Sequence, residues 1–391
     1  MGNTTAGLSR TQIAPVSRRV AAIQCVTGEQ RHSAMTTEHL VTIVALLPAH
    51  NEAEHIVGAI AGLRAQTRLV DRIIVVADNC TDATESLARG AGAEVFVTSG
   101  NKHRKAGALN QALDALLPRG RHARITAGDQ VLIQDADTVL NPEFVESAYR
   151  ALLDPHVGGA CARYNSPPGG GLLGLLQRNE YARSRRIIGR RGRTHILVGM
   201  AAQFRLGTLR EVVRLRASGR VPGLAAVYNR DSITEDYDLS LVLRTLGCIL
   251  VAPAGCDPLT DMMGTVSALW RQRIRWYRGA LDDLRRFGWT KTTLPYILRQ
   301  VAWLAASLSP LVFVAYLVAE YRTTGHLHWA LPYLAINLIF VVERFVSTRH
   351  QGLASIAFAT LLVPELLYEF FLTAVYFASF SKHLRRTSSQ W

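Results

Sequence analysis

Cysteine is sparse and never paired: Cys25, Cys80, Cys161, Cys248 and Cys256 stand far apart in 391 residues, with no CxxC. That spacing argues against a zinc knuckle and a disulfide scaffold, and it suits a reducing compartment. Acid is short as well. Against 44 Lys and Arg there are 30 Asp and Glu, a net charge of +14 and a pI near 10.0. Such an excess attracts polyanions: anionic lipid, nucleic acid or a phosphate-bearing substrate. The chain start lacks the positive, apolar, small-residue order of a secretory signal, and no N-terminal span is expected. Residues 1–38 lack sustained periodicity and read as a flexible basic arm.

What is present begins at residue 40. Short apolar runs, "VTIVALL" (41–47), "DRIIVVA" (71–77), "AEVFVT" (93–98) and "VLIQ" (131–134), alternate with helical patterns. Helices are expected to start near Glu52 and Thr81 and to cover "KAGALNQALDALL" (105–117). Non-alternating strands separated by helices predict a doubly wound, mainly parallel α/β sheet, with ligands beyond the carboxyl ends of the strands. Three polar clusters fall at such ends: "PAHNE", "DNCTD" and "DAD".

Apolar residues concentrate in the last quarter. "VAWLAASLSPLVFVAYLVA" (301–319) carries no charge and is long enough for about 30 Å of hydrocarbon. A second span is expected over about 329–346. Residues 352–380 read as a third span or a re-entrant or interfacial segment, because Pro364, Glu365 and Glu369 are costly facing lipid. Basic residues flank these segments on the side that belongs in the cytoplasm. The expected organisation is an arm (1–38), a catalytic domain with amphipathic interface helices (39–290) and a membrane region (291–391). This predicts a multi-pass protein of the plasma or inner membrane. Arginines 178, 183, 185, 186, 190, 191 and 193 form either a solvated helix face or a face on anionic headgroups, where each basic residue contributes about 1 kcal/mol.

Several segments carry candidate chemistry. Asp135 and Asp137, two apart at a strand end, point to one side on extended backbone and can hold Mg²⁺ or Mn²⁺ against a diphosphate. Asp236 and Asp238 repeat the spacing, but they open the helical pattern "DLSLVLRTL". There Thr234 suits an N-cap and Glu235 and Asp236 suit the positive helix end, while a carboxylate so placed can also take a proton from a hydroxyl. Lys102, Arg104 and Lys105, with Gly107 behind them, suit phosphate oxygens or an exposed loop. Asp78 suits either a cap or a nucleoside, and His50 a lining role. In "RQRIRW" (271–276) the bland reading is an amphipathic helix anchored by Trp270 and Trp276 at a lipid surface.

Taken in order, "PAHNE", "DNCTD", "NKHRKAGALN", "DAD", "TED" and "QRIRW" resemble the motif series of family 2 glycosyltransferases. The similarity is strongest to the membrane-integrated, inverting branch that includes chitin, hyaluronan, cellulose and poly-N-acetylglucosamine synthases. The resemblance implies a GT-A fold, a nucleotide-diphosphate sugar, usually UDP-linked, and Mg²⁺ or Mn²⁺. It implies Pro48, Ala49, Glu52 and Asp78 near the nucleoside, Lys105 near the diphosphate, and Asp135 and Asp137 at the metal and donor. Asp236 becomes the general base with Glu235 beside it. Gln272, Arg275 and Trp276 match the Gln-x-x-Arg-Trp motif of the pyrophosphate and acceptor region, and Gly199 borders the acceptor. Trp276 then offers a flat face to a sugar ring, and Arg275 a fork for phosphate.

The sequence departs from the family at Ala77, where an aspartate usually precedes Asp78. The branch's N-terminal membrane helices are not expected here, so a polymer channel would need fewer helices or a homo-oligomer. The implied partners are a nucleotide sugar, a saccharide or lipid-linked acceptor and a lipid bilayer, with no nucleic acid. The alternatives are a single transfer to a lipid-linked acceptor, or a membrane-tethered polyanion binder. The rim carboxylates oppose the latter, since they repel phosphate unless a metal intervenes.

Overall fold

The computed structural model describes residues 41–116, 126–189, 192–326, 331–361 and 363–385. The arm expected at 1–38 lies outside the described residues, as do Arg190 and Arg191.

The chain runs β1 (Ile43–Ala49), α1 (Ile56–Arg64), β2 (Arg72–Ala77), α2 (Thr84–Gly90), β3 (Glu94–Val97), α3 (Arg104–Leu116) and β4 (Gln130–Gln134). It continues through α4 (Phe144–Ala151), β5 (Val157–Cys161), α5 (Gly171–Gly189), β6 (Arg193–Thr194), β7 (Ala201–Arg205), α6 (Leu206–Ala217), α7 (Glu235–Thr245) and β8 (Ile249–Val251). Helices α8 (Val266–Phe287), α9 (Leu294–Thr324), α10 (Leu331–Thr348), α11 (Leu353–Thr360) and α12 (Val363–Leu384) complete it.

One eight-stranded sheet has the order β3-β2-β1-β4-β7-β5-β8-β6. Its first half, β3-β2-β1-β4, is parallel throughout. Ile43–Leu47 of β1 are buried without alternation because helices cover both faces. The second half is mixed. β7 runs antiparallel to both β4 and β5, and β6 runs antiparallel to β8. Cys80, Cys161 and Cys256 carry free thiols, whereas Cys248 is disulfide-bonded, which the wide cysteine spacing did not foreshadow.

Beyond the sheet, α12 packs along α8, and α10 and α11 pack on α5. Leu176, Leu269, Tyr368 and Leu372 form an apolar seam there. Glu365 is buried but not alone: Arg183 Nη1 lies 2.8 Å away, Asn179 Nδ2 3.0 Å and Arg344 Nη1 3.7 Å. Arg344 Nη2 also reaches Glu369 at 3.0 Å. Arg185 donates to Asn165, and Arg186 to Ser347. Arg183, Arg185 and Arg186 of α5 thus have partners on neighbouring elements, supplied by the acids of α10 and α12 and by Asn165 and Ser347.

The span expected over 301–319 lies within α9, and the one expected over 329–346 falls on α10 apart from 329 and 330, which are outside the described residues. Among the described residues no single helix is long and apolar enough to cross a membrane. One bent pair, Leu353–Thr360 with Pro364–Leu384, passes by length and composition at an angle of 72°. The break falls beside Pro364, whose ring cannot continue a helix. Residues 352–380 are therefore a broken segment, not a straight third span.

Candidate active site

The loops after β1 and β2 are stapled together at the sheet rim. Asn51 and Asn79 both adopt left-handed backbone, φ 58° and 52°, which asparagine tolerates better than most residues. Thr81 N–H donates to Asn51 Oδ1 at 2.8 Å, and Glu52 N–H to Thr84 Oγ1 at 2.8 Å. Pro48 and Ala49 end β1 opposite Val76 and Ala77. Asp78 is buried, with Oδ1 accepting from Thr98 Oγ1 at 2.7 Å, while its carbonyl meets His50 Nδ1 at 2.7 Å. The Glu52 carboxylate meets His55 in its own turn at 3.1 Å. Glu52 and Asp78 line the neighbouring loops of this rim.

Lys105 is the hub of the acidic cluster. Asn101 folds back over the start of α3, accepting from His103 N–H and donating to Arg104 O. A side chain at Gly107 would collide with Asn101. From there Lys105 Nζ reaches Asp135 Oδ1 at 2.5 Å, Glu235 Oε1 at 3.2 Å and the Gly199 carbonyl at 3.2 Å. Burial pulls the Lys105 pKa down, but Asp135 and Glu235 outweigh it and hold the ammonium above its ordinary value. Lys102 stays exposed.

Asp135 and Asp137 flank buried Ala136, as their spacing predicts, but the backbone is a turn and not an extended strand. Thr138 N–H donates to Asp135 O at 3.2 Å, and buried Gln134 donates to Thr138 O at 2.6 Å. Burial pushes Asp135 up to about 6; Lys105 opposes this and Asp137 adds to it. Asp137 is exposed at the rim.

Asp236 and Asp238 part company. Asp238 is fully buried against Arg216 and Asn229, a structural role. Asp236 faces the pocket beside Lys105, Gly199, Tyr228 and Glu235. Burial, then Glu235, push its pKa up to about 6, against Lys105, the Tyr237 N–H and Arg275. A Cβ at Gly199 would stand 3.0 Å from Asp236 Oδ2, so glycine leaves the carboxylate room. Thr234 holds the N-cap position of α7, but its side chain makes no capping hydrogen bond. Its hydroxyl donates to Asp283 Oδ2 at 2.9 Å instead.

Asp283 brings α8 to this site. It also accepts from Ser232 Oγ at 2.8 Å and from Arg286 at 2.6 Å. At Gly279 any side chain would overlap Thr234. Arg275 comes within electrostatic reach of Asp236 and Arg104. Trp276 lies 6.1 Å from the Tyr164 ring, between centroids, and under the Arg273 guanidinium at 4.2 Å. Gln272 is half-buried and accepts from Arg273 at 2.8 Å.

Lys105 therefore gathers Asp135, Gly199 and Glu235, Asp236 lines the same pocket, and α8 brings Arg275 within electrostatic reach, while Trp276 packs on Tyr164 and Arg273. Gly279 and Asp283 were missed at the sequence level, although they stand four apart on one helix face, a readable signal. Asn110, which bonds both backbone groups of Tyr228, was missed as well. Tyr164 offered no signal, since its partners come from α5 and α8.

Comparison with known proteins follows the same lines. The profile of "Glycosyl transferase family 2" matches residues 44–213, and that of "Glycosyl transferase family group 2" matches residues 130–372. A poly-beta-1,6-N-acetyl-D-glucosamine synthase of Staphylococcus aureus (strain COL) is 27% identical over 260 residues, covering 64% of this chain and 58% of that protein. The chain thus spans less than two thirds of that relative. The Staphylococcus epidermidis synthase is 25% identical over 366 residues, 87% of this chain and 83% of its own. In fold, the chain is similar to the mannosyltransferase PcManGT from Pyrobaculum calidifontis, solved with GDP-Man and Mn²⁺. The TM-score is 0.57 at 18% identity, with 92% of each chain covered. The mostly parallel α/β sheet is of the GT-A type. The second profile runs from the strand leading into Asp135 to the helix packed on the Gln-x-x-Arg-Trp segment, more than half of the sequence, and the chain belongs to glycosyl transferase family group 2.

Proposed function

We propose that this glycosyltransferase moves a sugar from a UDP-linked donor to a saccharide acceptor with inversion, building a β-linked polysaccharide at a membrane surface. One observation carries the reading: Lys105, Glu235 and Asp236 line one pocket, Lys105 also pairs with Asp135, and Arg275 is in electrostatic reach of Asp236. Asp236 takes the proton from the acceptor hydroxyl as its oxygen attacks the anomeric carbon. The bond to the diphosphate breaks on the opposite face. Lys105 and Arg275 receive the charge that develops on the leaving diphosphate. A base held near pKa 6 is ionised at neutral pH yet basic enough to accept that proton.

The Asp135–Asp137 turn suits a hard divalent cation. Its donors are carboxylate oxygens, and Asp137 adds to the forces keeping Asp135 high, a repulsion that a cation would relieve. Among the described residues no group of three His, Cys, Asp or Glu could hold a metal. Mg²⁺ or Mn²⁺ is commonly held by one or two carboxylates and completed by substrate phosphates. When bound, the ion would add positive charge at the diphosphate.

Membrane association is favoured by apolar side chains left exposed on α9 and α10, among them Val301, Trp303, Val312, Leu338 and Ile339. The bent α11–α12 pair suits a re-entrant or interfacial segment. The named synthases of the two staphylococci make poly-N-acetylglucosamine the leading candidate product. The test is nucleotide release by purified protein with Mn²⁺ across a panel of nucleotide sugars, with product length read by mass spectrometry. Release from UDP-N-acetylglucosamine with growth of an added oligosaccharide is expected; no release from any donor would overturn the reading.

A further inference from the structure

Trp276 is held from behind by a chain of contacts that reaches the C-terminal bent helix pair. Arg273 is fully buried on α8, and its guanidinium lies 4.2 Å from the centre of the Trp276 ring. Its Nη1 donates to Gln272 Oε1 at 2.8 Å, so one side chain orients two residues of the Gln-x-x-Arg-Trp segment. Its Nη2 is fixed by Glu180 Oε2 of α5 at 2.8 Å. That same oxygen accepts from the hydroxyl of Tyr368, on α12, at 2.6 Å. Trp276 also meets Tyr164, which stacks on Tyr181 at 4.9 Å, the residue after Glu180. A fully buried guanidinium without its carboxylate would rearrange to find another partner, and the indole packed on it would move too.

We propose that Glu180 is a positioning residue for the acceptor: through Arg273 it sets the orientation of Trp276, and through Tyr368 it ties that orientation to the docking of α12. This rests on the reading of Trp276 as an acceptor residue. The consequence is that acceptor binding depends on the bent pair being seated, although no residue of that pair touches Trp276 in this chain of contacts.

The test uses full-length protein labelled with 5-fluorotryptophan, the Trp276 resonance being assigned by its loss in Trp276→Phe. Glu180→Gln should move the Trp276 resonance and raise the KM for a β-1,6-linked N-acetylglucosamine oligosaccharide about tenfold. Tyr368→Phe keeps the ring and should shift both in the same direction by less, and it stands in if Glu180→Gln folds poorly. Glu365→Gln loosens the docking of α12 through Arg183 and Arg344 without touching Arg273, and should move the resonance in the same direction but by less than Glu180→Gln. An unmoved Trp276 resonance in both Glu180→Gln and Tyr368→Phe would overturn the proposal, and an unmoved one in Glu365→Gln would overturn its coupling to α12. A resonance that moves while the acceptor KM holds would support the contact chain and overturn the acceptor role of Trp276 instead.

Discussion

Around Lys105 the carboxylates of Asp135, Glu235 and Asp236 converge on one cation, and Asp137 stands near by. Around Glu365, by contrast, Arg183 and Arg344 answer Glu365 and Glu369 one for one. Burial first, and then more acid than the cation satisfies, push two carboxylates of the first cluster up to about 6. The second is balanced and holds helices together. On the proposed function, surplus charge at this rim suits an incoming cation and diphosphate, whereas matched charge inside a helix bundle is a staple.

The sharpest way to break this contrast is Asp236→Asn. Turnover should fall by about 10²–10⁴ while donor affinity holds, read as nucleotide release and calorimetric donor binding. The same change should raise the melting temperature at pH 7, because it removes a carboxylate that is harder to ionise in the fold than in the unfolded chain. Unchanged turnover would remove Asp236 from the role of base. In the balanced cluster, Glu365→Ala should cost roughly 3–5 kcal/mol by leaving Arg183 and Arg344 without their buried partner. Denaturation in detergent measures it, and a loss below about 1 kcal/mol would mean that the pair is effectively solvated.

Asp137→Ala should weaken Mn²⁺-dependent donor binding by at least about tenfold and leave metal-free binding alone. A calorimetric titration with no change would contradict the metal assignment. The smallest effect is in pH. Asp135 and Asp236 both have folded pKa values raised from an ordinary 3.8 to about 6. Activity should therefore fall as pH drops through about 6, roughly tenfold per unit for one essential base. Stability should move the other way: the contribution of these two groups is fully present below about 4 and is lost as pH rises through about 6. An acidic limb centred near 4 would deny the raised values.

Much of the parallel half was legible, because its strands are unbroken apolar runs and its helices have strong periodicity. The observed β1, β2, β3 and β4 fall within a residue or two of the runs in the sequence. The insertion of β7 between β4 and β5 was not legible, since pairing partners leave no local trace. In the site, Lys105 and Asp135 stood out by motif and strand-end placement. The division of labour between Asp236 and Asp238 did not, since both suit a helix start. Burial of Arg216 beside one of them separates the two.

By itself the sequence determined the alternation of strand and helix, the acids and cations at strand ends, and the apolar weight of the last quarter. These follow from local pattern, which each segment carries alone. Only the tertiary structure decided that Thr234 serves Asp283 and not its own helix, that α8 closes on α7 through Gly279, and that Glu365 finds Arg183. Each of those joins residues far apart in the chain, and a buried polar group takes the partner that packing brings within reach.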